Sequence, residues 1–225
     1  CIHNIHENSS LFFNIIGILL GFYVSYKIGS LKLGAINIVC SIFLWLYSLK
    51  YKAYFLVGNI MISALSALAI LVLWLFEMTA LHNNLQIIIN YRYLMMFFLW
   101  TYCGFAFIIS MIREIIKDIE DIEGDKKDNC STIPVVMGIS RTKIVLYLLV
   151  FVTTAALGYF SYMAKTANQT FILWKIIILL ILPLFYFSYI IYISKEKKDF
   201  TFLSNIAKYL MIAGVFSMVL IFNWF

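Results

Sequence analysis

The sequence predicts an all-α protein, a polytopic bundle of transmembrane helices. Of its 225 residues, 64% are hydrophobic and only 12% are charged, and the mean hydropathy is +0.95. Soluble domains have about 45–50% apolar and about 25% charged residues, so this composition excludes that class. Long apolar runs and a total of two prolines favour helices, because a membrane β-barrel would show short segments of alternating hydrophobicity.

Seven apolar segments are candidate membrane spans. They run over Leu11–Tyr26, Leu33–Ser48, Ala53–Met78, Tyr93–Ile112, Ile144–Met163, Phe171–Ile193 and Leu203–Phe225. Since about 20 residues are needed to cross a bilayer, the first two segments are expected to extend into their flanks. We find no Gly/Ser linker or low-complexity tract, and residues 1–225 are therefore interpreted as one transmembrane domain.

The distribution of basic residues predicts the orientation of the bundle. With seven alternating spans, twelve Lys and Arg residues lie near one side and five near the other. Cytoplasmic loops carry the excess of positive charge, so the side with twelve is predicted to be cytoplasmic, in an integral protein of the cell inner membrane. The net charge of +6 does not indicate nucleic-acid binding, because no basic patch is interleaved with aromatic residues.

The stretch Arg113–Pro134, called the acidic segment below, carries seven of the eleven acidic residues and lies on the predicted cytoplasmic side. Its residues Glu114, Asp118, Asp121 and Asp125 are spaced by four, three and four, which places them within roughly 60° of one helical face. Repulsion between such carboxylates calls for a cation or for protonation. Oxygen ligands without His or Cys suit Mg²⁺ or Ca²⁺, and Mg²⁺ often takes further ligands from a substrate phosphate.

A charged loop exposed to solvent is the alternative interpretation of the acidic segment. Lys117, Lys126 and Lys127 interleave with the acids, as in many loops between membrane helices. An EF-hand is excluded more firmly. Counted from Asp121, the sixth position is Lys126 instead of Gly and the twelfth is Thr132 instead of Glu.

Two stretches together resemble the UbiA superfamily of intramembrane prenyltransferases. The first is LYSLKYKAYFLVGN at Leu46–Asn59, which is similar to a family pattern of Tyr-Ser, a basic turn and Leu-x-Gly-Asn. The second is KDIEDIEGDK followed by Thr-Ile-Pro, which resembles the second aspartate-rich motif of the family. The amino-acid sequence of the acidic segment is most similar to that of the branch of geranylgeranylglycerol-phosphate geranylgeranyltransferases.

The resemblance implies Mg²⁺-dependent transfer of a prenyl group from a prenyl diphosphate to a lipid or aromatic acceptor among the membrane lipids. It implies that Asp118, Asp121 and Asp125 are catalytic metal ligands and that Lys52 is a catalytic contact to the diphosphate. Candidate substrate-binding residues are Tyr47, Lys50, Asn59, Arg113, Lys117 and Lys126.

One family feature is missing from the sequence. The family has nine helices and a first aspartate-rich motif ahead of the third, whereas the first Asp of this chain is Asp118. Seven spans, Cys at position 1 and the missing motif lead to the expectation that the first two helices are absent. The parent protein is then expected to be the active enzyme, and this chain alone is expected to be inactive.

The competing hypothesis is a non-catalytic polytopic membrane protein, or a transporter, with an ion-binding acidic loop in the cytoplasm. Transporters more often contain matched spans that are interrupted by Gly or Pro. Only Pro183 lies within a predicted span of this chain, which favours the enzyme.

Overall fold

The computed structural model describes residues 7–49, 54–80, 85–166, 168 and 170–222, with side chains over 14–47, 54–79, 96–166, 168 and 170–217. Regular structure in these ranges is helical, which confirms the all-α prediction. The helices are α1 (Glu7–Ile28), α2 (Leu31–Leu49), α3 (Val57–Ala80), α4 (Leu85–Glu120), α5 (Ile122–Lys127), α6 (Ile133–Met137), α7 (Ile139–Thr166), α8 (Thr170–Ile176), α9 (Leu182–Ile193) and α10 (Lys197–Phe222).

Membrane-length helices occur where the sequence predicts spans. Five stretches within the described ranges are long and apolar enough to cross a bilayer: Val57–Thr79, Met96–Glu120, Ile139–Thr166, Thr170–Ile193 and Lys197–Ser217. Two shorter apolar helical stretches, Asn14–Ile28 and Leu31–Tyr47, coincide with the first two predicted segments. The polytopic helical bundle is therefore confirmed.

The chain divides into two compact units, Cys1–Phe107 and Ile108–Phe225. In the first unit, α1 packs against α2 and α3, and α2 also packs against α3. The thiol of Cys103 on α4 donates to the carbonyl oxygen of Ala67 on α3, with Sγ 3.5 Å from the oxygen. Helix pairs in this unit are thus linked by polar contacts as well as by apolar packing.

Close approach of α1 and α2 depends on a glycine. The amide nitrogen of Asn37 on α2 donates to the carbonyl oxygen of Gly17 on α1 at 3.0 Å. A Cβ added at Gly21 would lie 1.8 Å from that same nitrogen. Gly21 therefore leaves the space in which Asn37 forms the interhelical hydrogen bond, as small residues commonly do in membrane bundles.

The core of the second unit is apolar and contains side chains from the end of α4 and from α7, α9 and α10. α7 packs against α6, α8 and α9, and α10 packs against α8 and α9. On α4 five buried isoleucines between Ile109 and Ile119 recur at helical spacing and share one face. Fully buried core side chains are Ile112, Ile115, Ile116, Leu146, Leu184, Phe187, Ile191 and Leu203.

A π-helical turn, Ile177–Ile181, joins α8 to α9 and precedes Pro183. Proline has no N–H and its ring clashes with the carbonyl group four residues earlier, which disrupts a regular α-helix. The wider turn accommodates the proline, and Thr170–Ile193 remains one span.

Several helix boundaries differ from the predicted segments, and two of them lie in or next to the acidic segment. α4 continues to Glu120, eight residues beyond the predicted end at Ile112, and α7 starts at Ile139 instead of Ile144. Charged residues near both boundaries lower the local hydropathy, so the hydropathy pattern did not predict these ends. The buried side chains of Ile115, Ile116 and Ile119 nevertheless keep the end of α4 packed in the core. The first half of the acidic segment is thus a helix that continues a span, and not a loop.

Candidate active site

The backbone of the acidic segment stays close to helical where α4 gives way to α5. Asp121 is the residue between the two helices. Its N–H donates to the carbonyl oxygen of Lys117 at 3.0 Å, and its own carbonyl oxygen accepts from the N–H of Asp125 at 2.9 Å. The four-residue hydrogen-bond spacing is therefore kept across the junction, so the carboxylates retain roughly their predicted order along one face.

The environments of the four carboxylates are nevertheless different. Glu114 and Asp125 are buried, each with 8% of its surface exposed, and Asp118 is half-buried. Asp121 is open to solvent, with 62% of its side chain exposed. Among the described residues, no three His, Cys, Asp or Glu side chains form a group that could hold a metal ion. The four carboxylates are therefore not four equivalent metal ligands along one helical face.

Glu114 already has a cationic partner. Nη1 of Arg113 donates to Oε1 of Glu114 at 2.8 Å, and both side chains are largely shielded from water. Nε of Arg113 is buried and has no hydrogen-bond partner in the part of the chain that the structure describes. The predicted anion contact Arg113 is thus oriented by the first acid of the segment.

Asp125 is held by a hydroxyl group. Oγ1 of Thr132 donates to Oδ2 of Asp125 at 3.0 Å, and both residues are buried. The N–H of Cys130 donates to the carbonyl oxygen of Asp125 at 2.9 Å. This backbone hydrogen bond closes a turn in the segment that connects Asp125 to Thr132. The second half of the acidic segment is therefore a folded turn that faces inward at Asp125.

The start of α10 contacts the acidic segment, which the sequence analysis did not predict. Oγ1 of Thr201 donates to Oε1 of Glu120 at 2.8 Å. Nζ of Lys197 lies 4.0 Å from Oδ1 of Asp121, in an exposed ion pair. In the predicted topology the basic run Lys195–Lys198 and the acidic segment lie on the same side of the membrane, because two predicted spans separate them.

Three further hydrogen bonds fix the turn between α9 and α10. Oδ2 of Asp199 accepts hydrogen bonds from the N–H groups of Lys195 and Glu196, at 2.8 and 2.9 Å. Nζ of Lys143 on α7 donates to the carbonyl oxygen of Ser194 at the end of α9. Because these hydrogen bonds hold the turn in place, it can support the contacts that α10 makes with the end of α4.

The remaining predicted site residues fall into three groups. Lys117 and Lys126 are exposed on the second unit. In the first unit, Asn59 is buried in the first turn of α3 and Tyr47 is half-buried on α2. Lys50 and Lys52 lie outside the described residues.

The donor chemistry of the acidic segment fits a divalent cation such as Mg²⁺. Its candidate ligands Asp118, Asp121 and Asp125 offer only carboxylate oxygens, and Asp125 is a buried carboxylate whose described partner is a neutral hydroxyl. Mg²⁺ requires only one or two protein carboxylates when waters and phosphate complete its coordination. The lack of a three-ligand group among the described residues is thus compatible with this ion.

The chain is similar to known proteins along nearly its whole length. Residues 3–219 match the UbiA prenyltransferase family. The digeranylgeranylglyceryl phosphate synthase of Methanosphaera stadtmanae is 27% identical over 210 residues, which cover 93% of this chain and 67% of that protein. The enzyme of the same name from Pyrococcus furiosus is 43% identical over 51 residues, 23% of this chain and 18% of that protein. That from Thermococcus sibiricus is 54% identical over 37 residues, 16% of this chain and 13% of that protein.

A solved structure described as digeranylgeranylglyceryl phosphate synthase in membranes has the same fold. It superposes with a TM-score of 0.57 at 22% sequence identity, covering 94% of this chain and 68% of that one. The chain therefore spans about two thirds of the length of the relatives that it matches along most of its own length. Since the family pattern extends over nearly all of its residues, and since both motif-like stretches predicted it, the protein belongs to the UbiA prenyltransferase family.

Proposed function

We propose that the protein transfers a prenyl group from a prenyl diphosphate to a lipid acceptor within the membrane, in a reaction that depends on Mg²⁺. The observation that carries this proposal is the family match over residues 3–219. The acidic segment supports it, because it places carboxylates at the end of a membrane-length helix. A prenyl chain can then remain in the bilayer while its charged diphosphate lies at the water interface.

The names of the relatives suggest the substrates. Digeranylgeranylglyceryl phosphate contains two geranylgeranyl groups on one glyceryl phosphate. We infer that the donor is geranylgeranyl diphosphate and that the acceptor is a glyceryl phosphate lipid that already carries one such group. An aromatic acceptor, which the sequence analysis left open, is the alternative outcome of the assay below.

The proposed reaction forms an ether. The bond between the allylic carbon and the diphosphate oxygen breaks, and diphosphate leaves with the electron pair. The free hydroxyl of the acceptor bonds to the allylic carbon and releases its proton. Negative charge develops on the leaving group, so preorganised cationic groups that stabilise this charge accelerate the reaction.

In this proposal Asp118, Asp121 and Asp125 would hold the divalent cation together, one or two of them as direct ligands and the others through bound water. When bound, Mg²⁺ supplies charge neutralisation for the leaving diphosphate. Lys52 is proposed to contact the diphosphate directly. The weaker candidates for contacts to the anion or for lining the pocket are Tyr47, Lys50, Asn59, Arg113, Lys117 and Lys126.

The different exposure of the lysines and of Asp125 supports different electrostatic roles for them. The ammonium groups of Lys117 and Lys126 are solvent-exposed on the unit that contains the three aspartates. Exposed lysines attract an anionic headgroup over a distance of about 10 Å at ordinary ionic strength. The buried carboxylate of Asp125 instead acts at short range, where a lower dielectric strengthens its attraction for a cation.

The proposal can be tested with protein expressed from its gene and reconstituted in lipid nanodiscs. Labelled geranylgeranyl diphosphate is incubated with geranylgeranylglyceryl phosphate or with 4-hydroxybenzoate, and products are separated by chromatography. We expect a labelled ether lipid that requires Mg²⁺ and disappears with EDTA. Labelling of the aromatic acceptor alone would contradict the lipid acceptor, and substrate movement across the bilayer without any product would favour the transporter hypothesis.

A further inference from the structure

We propose that Thr132 is a positioning residue, whose hydroxyl fixes the Asp125 carboxylate in the orientation that receives the divalent cation. This inference rests on the proposed function, because it assumes that Asp125 is a metal-side ligand. It is carried by the burial of both residues and by their 3.0 Å hydrogen bond.

The two buried carboxylates of the acidic segment are treated differently by their neighbours. The charge of Glu114 is offset by Arg113 at 2.8 Å. Asp125 receives the hydroxyl of Thr132, and the described residues give it no ion pair. A hydroxyl orients a carboxylate without cancelling its charge, whereas a buried charge that lacks a partner is costly. Asp125 is therefore a buried carboxylate with no cationic partner among the described residues, which suits it to a metal cation.

The hydroxyl of Thr132 does not form the capping hydrogen bond that is usual at its position. Thr132 is the N-cap residue of α6, where Thr commonly accepts a hydrogen bond from a backbone N–H of the first turn. Here its side chain makes no capping bond, and the hydroxyl donates to Asp125 instead. Pro134 lies in that first turn and has no N–H, so one fewer donor needs a cap.

Backbone hydrogen bonds hold the two partners at a fixed separation. The N–H of Asp128 donates to the carbonyl oxygen of Gly124, and the N–H of Cys130 donates to the backbone carbonyl oxygen of Asp125. Asn129 has a left-handed backbone with φ +53°, a conformation that commonly follows the end of a helix. The position of the Thr132 hydroxyl is thus set by the folded turn, and this hydroxyl holds Oδ2 of Asp125.

The test compares Thr132→Val, which removes the donor but keeps the branched shape, with Thr132→Ser, which keeps the hydroxyl. The first readout is the rise in Tm that Mg²⁺ produces in nanodiscs containing a non-hydrolysable prenyl diphosphate analogue. The second is the Mg²⁺ concentration that gives half-maximal activity. Loss of a partner that orients a metal ligand commonly reduces metal affinity about 10- to 100-fold. We expect a shift of that order for Val and less than about threefold for Ser.

Two results would overturn the inference. One is that Thr132→Val lowers Tm equally with and without Mg²⁺ and leaves the half-maximal Mg²⁺ concentration unchanged, which is the signature of a purely structural role. The other is that Thr132→Ser is impaired as much as Thr132→Val. If the Val variant does not fold, Thr132→Ala provides the same comparison.

Asp125→Asn separates this inference from the proposed function. If Asp125→Asn abolishes the Mg²⁺-dependent rise in Tm while Thr132→Val preserves it, the positioning role is wrong and the proposed metal ligand stands. If Asp125→Asn itself binds Mg²⁺ and turns over normally, the metal role of Asp125 fails and the inference fails with it. Support for both requires that Thr132→Val causes no additional loss in the Asp125→Asn background.

Discussion

At the scale of single residues, burial distinguishes acids that look equivalent in the sequence. Glu114 and Asp125 both face the interior of the second unit, but one has a guanidinium partner and the other a hydroxyl. Asp121 is exposed beside Lys197. An exposed ion pair contributes little to stability, so Asp121 can exchange this partner for a metal ion at small energetic cost.

The proposed metal ligands lead to a first prediction. In protein that is active in the nanodisc assay, Asp118→Asn, Asp121→Asn and Asp125→Asn should each reduce turnover about 100- to 1,000-fold, because preorganised charge stabilisation is lost. Glu120→Gln is the matched control, since a Gln oxygen can still accept the hydrogen bond from Thr201. It should keep most of the activity, as measured by labelled ether formation. Equal losses in all four variants would contradict the distinct roles.

The Arg113–Glu114 pair leads to a second prediction. Arg113→Met leaves the Glu114 carboxylate buried without its 2.8 Å partner, which should lower the free energy of unfolding by about 1–3 kcal/mol. Adding Glu114→Gln should restore part of this loss, because no unpaired charge remains. Unfolding by denaturant in mixed micelles would measure both variants. Strictly additive effects of the two substitutions would show that the pair does not stabilise the fold.

At the scale of elements, α4 joins a membrane span to the candidate active site without a break. Buried isoleucines continue along one face from Ile109 to Ile119, beyond the point at which charged residues enter the sequence. The acids of the last turns are therefore held by a helix that the core of the second unit keeps in place. The sequence predicted the helical spacing of these acids, whereas the anchoring depends on packing that hydropathy did not reveal.

Packing between α1 and α2 leads to a third prediction. Gly21→Ala should displace the Asn37 amide, since the added Cβ would meet it, and so break the hydrogen bond to the Gly17 carbonyl. Interhelical hydrogen bonds in membranes contribute about 0.6 kcal/mol on average, and a loss of that order is expected in the free energy of unfolding. Gly17→Ala is the control, because nothing lies within 4 Å of a Cβ there. Similar losses in both variants would contradict the explanation.

At the scale of the whole molecule, the family and the bundle follow from composition, hydropathy and two short motifs. The seven predicted segments coincide with helical stretches of the described chain, and the family pattern extends over residues 3–219. The orientation across the membrane stays a prediction from charge, which places the acidic segment in the cytoplasm.

Topology is the subject of the fourth prediction. With the native cysteines replaced, a cysteine introduced by Lys127→Cys should react with a membrane-impermeant maleimide only from the cytoplasmic side. One introduced by Asn168→Cys should react only from the opposite side, because α7 lies between the two positions and both are exposed. The positive-inside rule is the reason for this orientation. Labelling of both sites from the same side would show that α7 does not cross the membrane.

The amino-acid sequence alone was sufficient for the fold class, the positions of the spans and the residues that carry the family resemblance. These features depend on local composition and spacing, which can be read along a chain. Which carboxylates are buried, and that Thr132 holds Asp125 while Arg113 holds Glu114, was decided by the tertiary structure. So were the contacts of α10 with the end of α4, because Thr201 and Glu120 are 81 residues apart and meet only when the helices pack.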